Sequence, residues 1–252
     1  MSKEPLVSAV MLTGKDPSRE PFCQMALKCF LHQNWDNKEL VIVNHGDWVV
    51  NTEGWPNVRE IRIEKASMGL MRQRMLDEAE GKFVIQWDDD DISMPNRMRV
   101  QVTPMRSDPT LEATFLGSQI RYSLMTNCAL VGWNKRNAGI DGTVCHKNVS
   151  EFRYKDVPAH EDSIFRKNFK TQFIIQGDRL HIRLHHGDNI MGAQFIMYDL
   201  TSKTNVWRLD TSHARLLSGA LERFLGIRIP SSGHRRVPPY ILPANRIGTR
   251  VF

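Results

Sequence analysis

Apolar residues along the chain fall into two alternating kinds of pattern. Leu6–Leu12, Glu39–Val43 and Phe83–Ile85 are short β-type runs, and Val58–Ile63 alternates apolar with polar. Each reads as a strand. Between them, Phe22, Met25, Ala26, Cys29 and Phe30 recur at i, i+3, i+4, i+7 and i+8, one face of a helix. Met71, Met75, Leu76 and Ala79 form a second such face over 69–79, ended by Gly81. A third helix is expected to start around Ser93 and Pro95, with Met98, Val102 and Met105 on one side. Strand, helix, strand, strand, helix, strand is the rhythm of an α/β domain with a mostly parallel sheet.

The middle of the chain is less regular. Ala113–Leu116, Ile120–Leu124, Ala129–Trp133 and Gly142–Cys145 suggest further strands, some antiparallel. A helix is expected to open after His160-Glu161-Asp162, and Phe173–Ile175 and His181–Leu184 are short strands. Beyond Leu200, Ala214, Leu217, Leu221 and Phe224 lie at helical spacing, and four prolines follow in the last residues. The division expected is a main domain over 1–199, with halves 1–105 and 106–199, and a helical and extended tail over 200–252.

Composition narrows the class. At 252 residues, 41% apolar and 25% charged, the chain has enough interior for a sizeable core. No run approaches the about 20 apolar residues of a membrane span, and MSKEPLVSAV has no signal-peptide pattern. Four cysteines without a CxxC pair suit reduced thiols and a cytoplasmic location. The net charge of +6 is unevenly spread. Residues 200–252 hold nine Lys/Arg and two Asp/Glu, a charge of +7, which leaves the preceding part at −1. A basic tail of this kind meets a polyanion or is simply a solvated arm.

One stretch demands chemistry. The strand ending at Trp87 runs straight into Asp88, Asp89, Asp90 and Asp91. Desolvating an unpaired carboxylate costs several kcal/mol, so a cluster delivered by a buried strand calls for a cation unless it is an acidic loop facing water. Hard divalent ions take such oxygen ligands. Ligands bind beyond the carboxyl ends of parallel strands, where Thr13, Asn44-His45 and the aspartates all lie. The Glu161-Asp162 pair and the His185-His186 pair are the other candidates; by itself the acid pair reads equally well as a helix cap, and the histidines read more readily as surface or core residues.

The order of these pieces resembles family 2 glycosyltransferases of the GT-A fold. GLMRQRMLDEAEGKFVIQWDDDDISMPNRM is similar to their donor-site segment, with Gly69, Arg72, Gly81, Asp88, Asp90, Asp91 and Pro95 in place. LVSAVMLTGKD, LKCFLHQNWDNKELVIVNHGD, HEDSIFRKNF and IRLHHGDN resemble other family segments, and together they cover roughly residues 5–192. The resemblance implies a Rossmann-like GT-A domain that moves a sugar from a nucleoside-diphosphate sugar, UDP-sugar first, with inversion at the sugar. It implies Asp162 as base with Glu161 beside it, and Thr13, Asn44, His45, Arg72, Asp88 and Asp89 toward the donor. Mn²⁺ or Mg²⁺ would be held by Asp88, Asp90 and His186, with His185 as runner-up, and Asp91 would support the turn toward Pro95. Two departures bear on the base. Asn44-His45-Gly46-Asp47 stands where the family has VDDGS, and Gly14-Lys15 where it has YN. The acceptor is expected to be a glycan or lipid-linked sugar, or a hydroxylated base in DNA, with Trp133, Arg235 and Arg236 as acceptor-side residues. The competing classes are a sugar-phosphate nucleotidyltransferase and a non-catalytic sugar-nucleotide or nucleic-acid binding protein. The first lacks its Gly-rich phosphate loop, since Thr13–Pro17 holds one glycine.

Overall fold

A computed structural model of the protein describes residues 4–14, 16–124, 128–133, 139–186 and 206–208. Its first half follows the expected alternation: β1 (Val7–Thr13), α1 (Glu20–Leu31), β2 (Lys38–Asn44), β3 (Val58–Arg62), α2 (Met68–Asp77) and β4 (Phe83–Gln86). After the aspartates come β5 (Ile92–Ser93), α3 (Arg97–Ser107), β6 (Ala113–Leu116), β7 (Ser118–Ser123), β8 (Cys128–Trp133) and β9 (Cys145–Lys147). The chain continues with α4 (Glu161–Phe165), β10 (Gln172–Ile175), β11 (His181–His185) and β12 (Val206–Arg208). β12 comes from the segment read as tail and pairs antiparallel with β8.

Seven strands form the main sheet in the order β10-β6-β9-β4-β1-β2-β3. All its junctions are parallel except the two made by β9. The uninterrupted apolar runs of β1, β2 and β4 are explained by cover on both faces. Leu40, Ile42, Phe83 and Ile85 pack with Met25 and Phe30 of α1 and Met98 and Val102 of α3. Their alternates Val10, Val41, Val43 and Val84 pack with Met75 and Leu76 of α2 and Phe165 of α4. Each such side chain taken from water contributes about 1.5–3 kcal/mol. A second sheet, β12-β8-β7-β11-β5, stands at the carboxyl end of β4. Among the described residues, no helix is long and apolar enough to cross a membrane.

Several expectations shift on inspection. Ser93 does not open α3. It belongs to β5, and its hydroxyl accepts from Arg97 Nη1 at 2.8 Å. The strand expected from Gly142 starts at Cys145, because Gly142 has φ +84 and sits in a turn. Cys23, Cys29 and Cys145 are buried free thiols.

Two glycines set the geometry around the site. Gly14 has φ +134, and a Cβ there would lie 2.6 Å from Gly46 N, so the loops after β1 and β2 close on each other only through glycine. Gly69 donates its N–H to Val157 O at 3.0 Å, and a Cβ would meet Lys155 O at 1.8 Å. α2, capped by Ser67 accepting from Leu70 N at 3.2 Å, is thereby held against the loop that precedes α4.

Candidate active site

The carboxyl ends of β1, β2 and β4 converge as expected. Thr13 pairs with Asn44 in the β1–β2 register, and Thr13 Oγ1 donates to Asp89 Oδ2 at 2.7 Å. The four aspartates then point in different directions and serve different neighbours.

Asp88 turns toward α2 and α4. It accepts from Gln86 Nε2 at 3.2 Å and faces Arg72 Nη2 at 3.6 Å. The Arg72 guanidinium is nearly buried. Its Nε donates to Glu161 at 2.9 Å and lies 3.3 Å from Asp162 Oδ1. Gln86 Nε2 also reaches Asp162 Oδ2 at 3.4 Å, and the Tyr154 hydroxyl lies 3.4 Å from both Gln86 Oε1 and Asp162 Oδ1. Tyr154 is itself fixed by a stack on Phe165, ring centroids 3.9 Å apart. Arg72 therefore joins Asp88 to the Glu161-Asp162 pair. Burial pushes the Asp162 carboxyl up to about 6, helped by Asp88 and Glu161 and opposed by Arg72 and the Gln86 hydrogen bond. Asp162, Asp88 and Glu161 in turn hold Arg72 firmly protonated against its burial.

Asp89 and Asp90 face the other way, toward α1. Arg19, the residue preceding that helix, donates from Nε to Asp89 Oδ2 at 3.0 Å and also bonds Asp89 Oδ1 through Nη2. The same Nη2 reaches Asp90 Oδ2 at 3.0 Å. His186 Nε2 meets that Asp90 oxygen at 3.2 Å, and the imidazole stacks on Phe22 at 4.3 Å. Burial raises Asp89 to about 6. In Asp90 burial is outweighed by the His186 hydrogen bond and the Arg19 charge, which hold it down to about 2.

Asp91 does not serve the turn toward Pro95. It is buried, accepts from Leu184 N at 3.1 Å, and contacts His181 Nε2 at 3.2 Å. The aspartate turn is thus pinned to β11. Behind it Arg97, about 1% exposed, donates to Gln101 at 3.0 Å, Ser93 at 2.8 Å and Gln86 O at 3.0 Å, and approaches His181 Nδ1 at 3.5 Å. Burial lowers its guanidinium to about 10.

The remaining expected residues divide. His45 donates its backbone N–H to Thr13 O at 3.1 Å, and burial keeps its imidazole more readily neutral, with Lys65 and Arg19 adding to that effect. Asn44 is fully buried, and its amide is spent on Trp48 O at 2.7 Å, Glu60 at 2.6 Å and Gly46 N at 2.8 Å. It shapes the loop after β2. His185 is buried near Arg121 and Arg183, and its ring nitrogens find no hydrogen-bond partner among the described residues. Of this pair, His186 is the one that reaches Asp90. The side chain of Trp133, and Arg235 and Arg236, lie outside the described residues.

Asp90 and His186 supply the oxygen and imidazole donors that suit Mn²⁺ or Mg²⁺. Among the described residues no group of three or more His, Cys, Asp and Glu side chains comes together as a ligand set. Two protein ligands still fit a cation that completes its shell with water and substrate phosphate, as Mg²⁺ commonly does. Asp88 lies with Arg72 on the opposite side.

Residues 18–127 match the family model described as Glycosyl transferase family 2. Through this stretch the chain is similar to glycosyltransferase family 2. The fold is similar to those of solved structures. The domain superposes on residues 1–349 of S. aureus TarS, solved with UDP-GlcNAc, with a TM-score of 0.59 and 14% identity. That match covers 87% of this chain and 72% of the other. A second TarS structure, at TM-score 0.56 and 12% identity, is covered to 43% by 87% of this chain. The mannosyltransferase PcManGT from Pyrobaculum calidifontis, solved with GDP-Man and Mn²⁺, gives a TM-score of 0.52 at 10% identity. There 76% of this chain covers 59% of the other. No curated protein matches this chain significantly in sequence.

Proposed function

We propose that this glycosyltransferase moves a sugar from a nucleoside-diphosphate sugar, UDP-sugar first, to an acceptor hydroxyl with inversion. The observation that carries the reading is the Arg72 bridge, 3.6 Å to Asp88 and 3.3 Å to Asp162. It sets the acid expected on the donor within reach of the acid expected on the acceptor.

Asp162 takes the proton of the acceptor hydroxyl as its oxygen bonds the anomeric carbon. The bond from that carbon to the diphosphate breaks on the opposite face. The diphosphate leaves with the electron pair, and no sugar is bound covalently to the protein. A value near 6 suits a base working at neutral pH, ionised yet still basic enough to hold a proton. Glu161 holds Arg72, and Tyr154 and Gln86 hold Asp162. Arg72 offers its charge to the negative charge that develops on the leaving group. Asp88 faces the donor ribose, with Thr13 and His45 lining the nucleotide side and Asp89 supporting them. Asp90 and His186 would hold a divalent cation, which would supply further countercharge to the diphosphate.

A thermal-shift series of UDP, GDP, CDP and ADP, each with and without Mn²⁺, tests the donor half. One diphosphate is expected to stabilise the protein, more with Mn²⁺, and Asp90→Ala is expected to remove the Mn²⁺ increment. An undiminished Mn²⁺ increment in that variant would sink the Asp90 assignment. The acceptor class is separable by salt. Transfer to DNA through the basic segment 200–252 falls steeply as salt rises, whereas transfer to a small sugar acceptor does not.

A further inference from the structure

The entry to α1 lays two side chains against the Asp90 side of the site. Arg19 and Phe22 are three residues apart and so share a helical face. Phe22 stacks on His186, and Arg19 bridges Asp89 and Asp90. Neither belongs to the residues that the sequence pattern marks for donor or metal.

We propose that Arg19 is a built-in counter-cation that occupies Asp90 until a divalent metal and the donor arrive together, and that metal binding requires it to let go of Asp90. The inference rests on the donor-site reading above. Three observations carry it. First, Arg19 Nη2 and His186 Nε2 approach the same oxygen, Asp90 Oδ2, at 3.0 and 3.2 Å. A divalent cation bonds a carboxylate oxygen at about 2.0–2.6 Å. A metal joining Asp90 to His186 must therefore enter where the guanidinium now points, and two cations at that range repel.

Second, Arg19 can release Asp90 without becoming unpaired. Its Nε hydrogen bond to Asp89 Oδ2 at 3.0 Å remains while Nη2 swings away from Asp90. Asp89 is buried and also held by Thr13 Oγ1 at 2.7 Å, so it acts as a fixed post about which the fork can turn. Third, the donor brings the charge that replaces Asp90 as partner. A diphosphate is a favoured bidentate acceptor for a guanidinium. Metal and donor then favour each other's binding, and by linkage the effect is reciprocal.

The test counts free Mn²⁺ by electron paramagnetic resonance while the full-length protein is titrated without nucleotide. Arg19→Gln combined with Asp89→Asn replaces the buried ion pair by a neutral hydrogen-bonding pair, so no buried carboxylate is left alone. This double variant is expected to bind Mn²⁺ about tenfold more tightly than the wild type, within the usual range of coupling between sites. Arg19→Lys keeps a cation on Asp89 but loses the fork that spans both carboxylates. It is expected to fall between the two. A role confined to holding the fold together would weaken Mn²⁺ binding in both variants. Unchanged or weaker binding in both overturns the inference while leaving the transferase reading intact. Absence of Mn²⁺ binding in all three proteins overturns it along with the Asp90 metal assignment, and donor binding measured without metal then judges the transferase reading separately.

Discussion

Arg72 Nε lies 3.3 Å from Asp162 Oδ1, although α2 and α4 supply them from distant parts of the chain. The contact joins the half of the fold proposed to bind the nucleotide to the half that carries the proposed base. It also sets the charge of Asp162. Burial drives that carboxyl toward its neutral form, and Arg72 draws it back.

The pH dependence of transfer follows. Asp162 must be ionised to accept a proton, and its value lies near 6. The rate is expected to fall tenfold per pH unit below about 6, in steady-state assays at saturating donor. Arg72→Gln removes a charge that lowers Asp162, so the acid limb should move to higher pH. An acid limb that stays in place would deny the coupling.

Stability should follow the opposite trend at this residue. Its folded value is raised above the ordinary 3.8, so the fold prefers the neutral carboxyl. The stability it contributes is complete below that ordinary value and is lost as pH rises through about 6. Asp162→Asn is therefore expected to melt at a higher temperature than the wild type at pH 8 and at about the same temperature at pH 4. Equal melting temperatures at both pH values would mean that Asp162 is not destabilised by its surroundings.

Arg97 is expected to matter for folding rather than for binding. Arg97→Met strands Gln86 O, the Ser93 hydroxyl and the Gln101 amide, all of which the guanidinium now satisfies. Each buried group left without a partner costs about 1–3 kcal/mol, so urea unfolding should report a loss of at least about 3 kcal/mol. A loss below about 1 kcal/mol would show that the network repacks or hydrates readily.

Gly69→Ala tests how α2 is docked. The added Cβ collides with Lys155 O, and the loop it displaces carries Tyr154 toward Asp162. Transfer is expected to drop, with diphosphate binding less affected, when both are measured on the same preparation. Unchanged transfer would show that the loop position is not critical.

The parallel half of the fold was legible in the sequence because β1, β2 and β4 are covered on both faces and read as unbroken apolar runs. The positions of Asp88, Asp89 and Asp90, of Arg72 and of the Glu161-Asp162 pair at one site were legible because each stands in a local signature in a recognisable order. Arg19, Gln86, Tyr154 and Arg97 were not. They meet their partners 70 residues away for Arg19 and Asp89, 68 for Tyr154 and Gln86, and 84 for Arg97 and His181. In the sequence Arg19 is one more charge in a polar loop, and Gln86 is a polar residue at the end of a strand. Only the packing of α1 and α4 onto the sheet gives them partners. Asp91 was misread for the same reason, since its partners Leu184 and His181 come from a strand in the other sheet.

The most direct measurement is calorimetric donor binding and sugar transfer on Asp162→Asn. The account predicts that the diphosphate sugar binds with nearly wild-type affinity while transfer falls by about 10²–10⁴, the usual worth of a general base. Transfer retained within about threefold of wild type, or donor affinity lost along with transfer, would contradict it.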